Sequence, residues 1–317
     1  MNKALVLGVT GQDGAYLSHH LLSLGYKVVG SSRDCFACDT SRLQRLGVLD
    51  DVELCSVAPN DFRSVLKTIS AHQPNEIYNL SGLTSVGLSF DLPVECSESI
   101  ATATINLLEA IRYMGGGIKL FNAGSSECFG DIGNTPANES TLFQPLSPYA
   151  VAKASAFWQV SAYRRAYSLF SCTGILSNHE SPLRPRRFVT QKIVQSARLI
   201  AHKKLSRLVL GNLNVFRDWG WAPDYVKAMH LMLQRANPRD FVIASGITCS
   251  LREFAEQVFS FYGLDFEASV EISEAFMRPS DLQYSALDPT AIHEDLGWST
   301  TGGAQDLAFR LCSDQLF

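Results

Sequence analysis

The chain has 317 residues, of which 46% are hydrophobic, so it can bury a full core as one large domain or two interleaved domains. Its formal net charge of -4 excludes the broad basic surface typical of proteins that bind nucleic acid or anionic membranes. We therefore expect an enzyme that binds neither nucleic acid nor membrane.

The N-terminus and the cysteines predict the compartment. Residues 4–7 are too short an apolar run for a signal peptide, and no stretch approaches the roughly 20 apolar residues that a membrane span needs. Eight cysteines in such a chain point to free thiols in a reducing compartment, which predicts a cytoplasmic location. Cys35 and Cys38 have C-x-x-C spacing, but no second Cys or His pair stands at the spacing of a zinc site, so no metal is predicted.

The first half of the chain alternates apolar or β-branched runs with helical patterns, which predicts a parallel sheet covered by helices on both faces. Strands are predicted at 3–7, 27–30, 52–55, 76–80, 118–124 and 172–176. Helices are predicted at 15–24, 62–71, 101–114 and 148–167. The expected fold is α/β, a Rossmann-type doubly wound parallel sheet with a smaller, interleaved C-terminal substrate lobe.

After about residue 178 the alternation ends in a basic, proline-bearing stretch at 181–187, which a helical run to 203 follows. Further helices are predicted at 224–234 and 251–262, and a buried strand at 241–244. The last fifteen residues show only weak patterning.

A glycine-rich loop follows the first predicted strand and opens the first helix. Gly8, Gly11 and Gly14 give G-x-x-G-x-x-G in this strand–turn–helix context. Glycines there let the backbone approach a pyrophosphate, whose charge the helix N-terminus stabilises. The loop predicts a dinucleotide cofactor rather than a tight turn alone.

The end of the second strand distinguishes NADP from NAD, because a cation there favours a 2′-phosphate and an acid favours a free 2′-hydroxyl. Arg33 follows two serines at this point, which predicts NADP(H). Asp34 follows at once, so a solvated surface pair of Arg33 and Asp34 is the alternative.

Tyr149 and Lys153 are four residues apart at the start of a predicted helix, so both project from one face. A lysine ammonium beside a phenol favours the phenolate, which makes tyrosine useful as a base near neutral pH. Chance also produces such spacings.

Ser125 and Glu127 follow the predicted strand at 118–124, at the sheet edge where open α/β sheets place ligands. Ser125 is expected either to hydrogen-bond a substrate hydroxyl beside Tyr149 or to cap a turn. Glu127 is expected to be a second base, which permits chemistry beyond simple hydride transfer, or else a solvated loop charge.

Together these residues resemble the extended short-chain dehydrogenase/reductases, and within them the GDP-mannose 4,6-dehydratases. The most specific stretches are Asn-His-Glu-Ser-Pro at 178–182 and Arg-Asp-Trp-Gly at 217–220. Others lie at 8–14, 76–80, 126–127, 147–153, 188–190, 210–213, 278–279 and 296–298.

The resemblance implies a nucleotide-sugar 4,6-dehydratase, a lyase that converts GDP-mannose or a close GDP-sugar to the 4-keto-6-deoxy sugar. Tyr149 would take the proton of the sugar 4-hydroxyl, which Ser125 holds, while C4 gives hydride to NADP+. Glu127 would remove the C5 proton and help to expel the C6 hydroxyl as water. The hydride would return to C6, so NADP(H) is regenerated in each turnover.

The resemblance also implies the residues that contact each ligand. Those expected at the cofactor are Gly8, Thr10, Gly11, Gln12, Asp13, Gly14, Arg33, Leu80, Tyr149, Lys153, His179 and Arg184. Those expected at the GDP-sugar are Thr84, Ser85, Asn178, Thr190, Lys192, Arg217, Arg278 and Asp281. Arginine–phosphate contacts are often bidentate, which suits the cations of this set.

The expected domains are a cofactor domain over 1–171, with returning segments at about 217–245 and 284–303, and a substrate lobe over the rest of 172–317. The family pairs the helices at 101–114 and 148–167 in a four-helix interface, which implies a homodimer, with a homotetramer as the alternative. Three departures from the family pattern stand out. Ser125 replaces a threonine, 56–58 lack the carboxylate that holds adenine, and 35–38 replace the serine-rich segment that joins dimers.

Two other functions stay open on the residues alone. A 4-keto-sugar-nucleotide reductase or epimerase would need Tyr149 and Lys153 but no base at position 127. A non-catalytic NADP-binding sensor or scaffold would need neither Tyr149 and Lys153 nor a base at position 127.

Overall fold

The computed structural model describes residues 1–133, 135–276 and 282–317. Its strands are β1 (Lys3–Leu7), β2 (Lys27–Ser32), β3 (Val52–Ser56), β4 (Glu76–Asn79), β5 (Lys119–Ala123), β6 (Ser171–Leu176), β7 (Asn178–Glu180), β8 (Leu208–Leu210), β9 (Phe216–Trp221), β10 (Phe241–Ile243), β11 (Thr248–Ser250), β12 (Val270–Ile272) and β13 (Tyr284–Ser285). Its α-helices are α1 (Gln12–Ser23), α2 (Ser41–Arg45), α3 (Phe62–His72), α4 (Val86–Asp91), α5 (Pro93–Ser97), α6 (Ala103–Tyr113), α7 (Pro148–Tyr167), α8 (Val189–Ala201), α9 (Ala222–Leu233), α10 (Leu251–Phe261), α11 (Phe266–Ser269), α12 (Thr290–Leu296) and α13 (Ala304–Cys312). Shorter turns of helix lie at Leu49–Asp51, Glu98–Thr102, Ser126–Phe129 and Glu274–Phe276.

Seven parallel strands form the main sheet, in the order β3, β2, β1, β4, β5, β6 and β10. The strand order reverses at β1, which pairs with β2 on one side and with β4 on the other. Ligands of such sheets bind in the crevice at the carboxyl ends of the strands beside this switch point. The predicted Rossmann-type doubly wound sheet is confirmed.

Side chains of β1 alternate between two cores, as a strand buried on both faces requires. Ala4 and Val6 pack in the core that contains residues of α1 and α9. Leu5 and Leu7 pack in the opposite core, which contains residues of α3 and α6. Helices on both faces therefore hold the carboxyl edge of the sheet, where the site forms, in a fixed position.

The C-terminal lobe has its own core and its own small sheets. β9 pairs with β11 in the antiparallel sense and with β7 and β13 in the parallel sense, and β8 pairs with β12. Residues of α8, α10 and α13 pack together with Trp219 of β9 in this core. β7 begins two residues after β6 ends, so one continuous segment passes from the main sheet into the lobe.

α13 occupies most of the last fifteen residues, for which the weak patterning predicted no element. Leu307, Ala308 and Leu311 are buried at helical spacing, a pattern that the short segment carries and that its sequence shows only weakly. The boundaries of the other predicted elements differ by a few residues. α1, for example, begins at Gln12 rather than at Ala15.

All eight cysteines are free thiols. Within the described residues, no helix has both the length and the apolar character needed to cross a bilayer. The described part of the chain also contains no cluster of three or more His, Cys, Asp or Glu residues that could hold a metal ion.

Candidate active site

A cleft of about 460 Å³ opens beside the carboxyl ends of the central strands and is bounded by residues of the C-terminal lobe. It brings together most of the predicted site residues: Asp13, Leu80, Thr84, Ser85, Ser125, Glu127, Tyr149, Lys153, Asn178, His179, Arg184, Lys192 and Arg217. The other predicted residues do not line it. These are Gly8, Thr10, Gly11, Gln12, Gly14, Arg33 and Thr190. Arg278 and Asp281 lie outside the described residues.

The glycine loop fits closely against the backbone around it. Gly8 has a φ of +79°, and a Cβ there would lie 2.8 Å from the carbonyl oxygen of Leu80. A Cβ on Gly14 would lie 2.3 Å from the carbonyl oxygen of Gly8, so only glycine lets α1 begin this close to β1. The residue before α1 is Gly11, which has no side chain to cap the helix. The first amides of α1 therefore remain suited to an anionic ligand.

His179 lies in β7 and closes over the glycine loop. Its Nε2 donates to Asp13 Oδ2 at 2.9 Å and its Nδ1 donates to the Ser177 carbonyl oxygen at 2.8 Å. Both ring nitrogens face acceptors, so the doubly protonated imidazolium is the form that satisfies both contacts. Burial is the largest single influence and would lower the pKa of His179, but the charge of Asp13 and the hydrogen bonds to Asp13 and Ser177 together outweigh it, so the pKa is raised. Burial likewise acts to raise the pKa of Asp13, but the charge and hydrogen bond of His179, with smaller contributions from Gln12 and Arg184, together lower this pKa to about 2.

This ion pair predicts a pH-dependent contribution to stability. Asp13 stabilises the fold fully above its ordinary pKa of 3.8, and its contribution is lost as the pH falls toward about 2. His179 contributes fully below its ordinary pKa of 6.5, and its contribution is lost as the pH rises through the raised value. We expect Asp13→Asn to lower the unfolding temperature by about 3 °C between these two pH values, and by less at either extreme.

Thermal unfolding across the pH range tests this expectation, with Asp91→Asn, at an exposed position of α4, as the control. A difference between Asp13→Asn and the wild type that stays constant from acid to alkaline pH would contradict the ion pair.

Tyr149 and Lys153 lie one turn apart on α7, whose N-terminus is capped by the Ser147 hydroxyl. Lys153 Nζ donates to the Ala123 carbonyl oxygen at 2.7 Å and lies 5.8 Å from the centroid of the Tyr149 ring. Burial lowers the pKa of Lys153 to about 8 and raises the pKa of Tyr149. A hydrogen bond from Ser125 acts in the opposite direction on Tyr149. The cleft therefore holds the phenol neutral and weakens the lysine ammonium.

Ser125 and Glu127 occupy the turn that follows β5. The Ser125 hydroxyl accepts a hydrogen bond from the amide of Glu127 at 3.3 Å, so it caps the short helix Ser126–Phe129. The same hydroxyl also contacts Tyr149. The two roles proposed for Ser125 from the sequence are thus compatible. Glu127 is half-buried and lines the cleft. One rim of the cleft accordingly holds a phenol, an amine, a hydroxyl and a carboxylate.

A family model described as GDP-mannose 4,6 dehydratase matches residues 5–310. The chain belongs to this family. It is 38% identical over 323 residues to GDP-mannose 4,6 dehydratase 1 of Arabidopsis thaliana, a match that covers 99% of this chain and 89% of that protein. It is 37% identical over 322 residues to GDP-mannose 4,6 dehydratase of Homo sapiens, covering 94% of this chain and 87% of that protein.

Solved structures show the same fold as this member of the GDP-mannose 4,6-dehydratase family. A dTDP-glucose 4,6-dehydratase from Streptomyces venezuelae, solved with NAD, superposes with a TM-score of 0.87 at 20% identity, covering 98% of this chain and 95% of that chain. UDP-glucose 4-epimerase from Thermus thermophilus, also with NAD, gives 0.86 at 22% identity and 98% coverage of both chains.

The family's Asn-His-Glu-Ser-Pro stretch also places a buried carboxylate that the sequence analysis did not assign. Glu180 is 2% exposed and lines the cleft. Its Oε2 accepts the Thr190 hydroxyl at 2.7 Å and lies 3.3 Å from Arg184 Nε. Thr190 is itself buried, and its hydroxyl is directed to Glu180. Glu180 therefore joins one residue expected at the cofactor to one expected at the substrate.

The lobe contributes two cations to the cleft. Lys192 Nζ donates to the Val209 carbonyl oxygen at 2.8 Å, and burial lowers its pKa. Arg217 is buried and donates to the Phe216 carbonyl oxygen at 2.9 Å. Several further lining residues of the lobe and of the segments beside it were not predicted from the sequence. They are Ser177, Phe188, Asn212, Val215, Trp219, Leu251 and Gln283. Ser177, Phe188, Asn212 and Trp219 lie in or beside the family motifs, whereas no signal marked Gln283.

Arg33 lies at an exposed position directly after β2. The neighbouring Asp34 carboxylate accepts the amides of Phe36 and Ala37 at 2.9 and 3.3 Å. Asp34 therefore caps the turn after the strand, a use of its carboxylate other than the surface pair considered from the sequence.

Proposed function

We propose that the chain is a nucleotide-sugar 4,6-dehydratase, a hydro-lyase that converts GDP-mannose or a close GDP-sugar to the 4-keto-6-deoxy sugar. The observation that carries this proposal is the position of Glu127. It lies on the same rim of the cleft as Tyr149, Lys153 and Ser125. A reductase or an epimerase would need no second base there, and a non-catalytic protein would need none of the four.

The residues around the glycine loop fit a dinucleotide. Gly8 and Gly14 leave no room for a Cβ, and the uncapped start of α1 suits a pyrophosphate. The solved structures of similar fold with NAD support a nicotinamide cofactor, and Arg33 after β2 supports NADP. Bound NADP+ would supply an acceptor for the hydride from C4 and return that hydride to C6.

The side chains of the rim divide the proton transfers among them. Tyr149, as phenolate, accepts the proton of the sugar 4-hydroxyl, and Ser125 hydrogen-bonds that oxygen as the 4-ketone forms. The ketone acidifies the C5 hydrogen, and Glu127 takes it as a proton. Glu127 then passes this proton to the C6 hydroxyl, which leaves as water. Hydride addition at C6 and addition of a proton from solvent at C5 complete the product, and Tyr149 releases the 4-hydroxyl proton to solvent, so one water is lost and no net oxidation occurs.

The lobe provides the charge that a GDP-sugar needs. Lys192 and Arg217 place two cations in the cleft, and Asn178, Thr84 and Ser85 add polar groups nearer the sheet. We assign Asn178, Thr84 and Ser85 to the hexose and diphosphate, and the two cations to GDP. Thr190 supports this surface through Glu180.

The decisive experiment is incubation of the purified protein with GDP-mannose and measurement of the product mass. Loss of one water without net change in NADPH supports the dehydratase, and reconstitution with NADP+ or NAD+ reports the cofactor preference. If GDP-mannose stays unchanged and NADPH is consumed on a 4-keto-6-deoxy sugar nucleotide, the protein is the reductase and not the dehydratase. Cofactor binding without either reaction would favour a sensor or scaffold.

We also propose a homodimer formed through α6 and α7. Val151 and Trp158 lie seven residues apart on α7 and are 54% and 57% exposed, which gives this helix an uncovered apolar surface. Phe157 packs instead against Phe143, with ring centroids 4.8 Å apart.

The eight free thiols support a cytoplasmic location. We further propose the domain division expected from the sequence. The cofactor domain ends near residue 171 and includes the returning segments at 217–245 and 284–303.

A further inference from the structure

The Arg-Asp-Trp-Gly stretch of β9 contains residues that the proposed mechanism does not use. Arg217 and Trp219 line the cleft, so Asp218 and Gly220 face the other side of the strand. Asp218 is 1% exposed and carries no ion pair among the described residues. A buried carboxylate and a glycine at these two positions need another explanation.

Asp218 ends a chain of hydrogen bonds that begins at Tyr225 of α9. The Ser177 hydroxyl donates to Asp218 Oδ1 at 3.0 Å and lies 2.5 Å from the Tyr225 hydroxyl. Because Ser177 has a single hydroxyl proton, which it gives to Asp218, Tyr225 is the donor to Ser177. The amides of Ser245 and Gly246 also donate to the Asp218 carboxylate, at 2.9 and 2.7 Å. Asp218 therefore fixes the position of the Tyr225 hydroxyl from inside the core.

Gly220 fixes the same tyrosine by leaving space for it. A Cβ on Gly220 would lie 2.2 Å from Tyr225 Cε2 and 2.4 Å from its hydroxyl oxygen. These separations are far below van der Waals contact, so any larger residue would displace the ring. Asp218 and Gly220, two residues of one motif, thus both determine the position of the Tyr225 side chain.

The Tyr225 ring lies against the face of His179. Their ring centroids are 4.6 Å apart and the planes are inclined by 19°. His179 is held in its own plane by the Ser177 carbonyl and by Asp13. An aromatic face attracts a cation, and a phenol that donates its proton toward a carboxylate is the more electron-rich for it. Arg184 lines the same cleft, and its positive charge acts to lower the pKa of His179.

We propose that Tyr225 is a positioning residue for the cofactor loop: it holds the His179 imidazolium against Asp13, and Asp218 and Gly220 hold Tyr225. Gln12, the neighbour of Asp13, donates to the His179 carbonyl oxygen at 3.1 Å, so a shift of His179 reaches the loop by two routes. The inference rests on the proposed function for one point, that this loop holds a nicotinamide cofactor.

The test compares Tyr225→Phe with a matched control, Tyr78→Phe. Both tyrosines are fully buried, and each loses one hydroxyl donor, since Tyr78 donates to Glu76 Oε2 at 2.7 Å away from the cleft. We expect Tyr225→Phe to weaken NADPH binding about fivefold and to lower the pKa of His179, followed by NMR, by about 0.5. Tyr78→Phe is expected to change neither, although both variants lose thermal stability.

Gly220→Ala gives an independent arm, because it displaces the ring without removing any polar group. We expect it to weaken NADPH binding in the wild-type background and to add little in a Tyr225→Leu background, where the ring is absent. Equal effects of Tyr225→Phe and Tyr78→Phe on NADPH binding and on the His179 titration would overturn the proposal. If the wild type binds no nicotinamide cofactor, the proposed function fails, and the His179 titration still decides whether Tyr225 positions His179.

Discussion

Glu127→Gln is expected to abolish the loss of water from GDP-mannose, with kcat reduced by about a thousandfold or more. Glutamine keeps the size of the side chain but cannot accept the C5 proton or pass it to the C6 hydroxyl. Oxidation at C4 uses Tyr149 as its base and does not need Glu127, so it should still occur. The variant should therefore accumulate up to about one equivalent of enzyme-bound reduced cofactor per site.

Two measurements check this result: the mass of the product and the absorbance of reduced nicotinamide after mixing with GDP-mannose. NADP(H) affinity should stay within about twofold of the wild type, because Glu127 is assigned to the sugar. Glu294→Gln, at an exposed position of α12, is the control for the chemical change and should retain full activity. Normal water loss by Glu127→Gln would show that Glu127 is not the base that removes the C5 proton. A reductase would be unaffected by the same change, so the variant also separates these two functions.

The parts of the fold that follow from local pattern were predictable. Most strands of the main sheet contain a short apolar or β-branched run, and glycines mark the turn after β1 because a Cβ at Gly8 or Gly14 would collide with backbone. The small strands of the lobe were not predictable in the same way. β7, β8, β11 and β13 have two or three residues each, and their pairing depends on segments far away in sequence.

The same distinction applies to the site. Tyr149 and Lys153 share one helical turn, so their spacing identifies them once the family motif is recognised. Glu180 lies in a recognised motif and Tyr225 in none of those named, but the role of each depends on partners that only the fold brings together. Tyr225 lies 48 residues from Ser177 along the chain, and only the structure places their hydroxyl oxygens in contact. The motif residues Asp218 and Gly220 become intelligible only through this tyrosine.

Lys153 should set the pH dependence of the reaction. The active form of the pair has Tyr149 as phenolate and Lys153 as ammonium, so it carries one proton in total. Burial raises the pKa of Tyr149 and lowers that of Lys153 to about 8, so the pair carries two protons below about 8 and one above. We therefore expect kcat/KM to rise with pH and to level off near 8, rather than to fall there.

Two replacements of Lys153 test this assignment through different quantities. Lys153→Met removes the ammonium and should lower kcat about a hundredfold or more, whereas Lys67→Met, at an exposed position of α3, should have no effect. Lys153→Arg keeps a positive charge that does not titrate below about pH 12. In this variant the first proton to leave the pair is therefore the phenol proton of Tyr149. Its activity, although lower, should go on rising beyond pH 8 where the wild type levels off. The same plateau in Lys153→Arg as in the wild type would show that another group titrates, because arginine cannot lose its proton in that range.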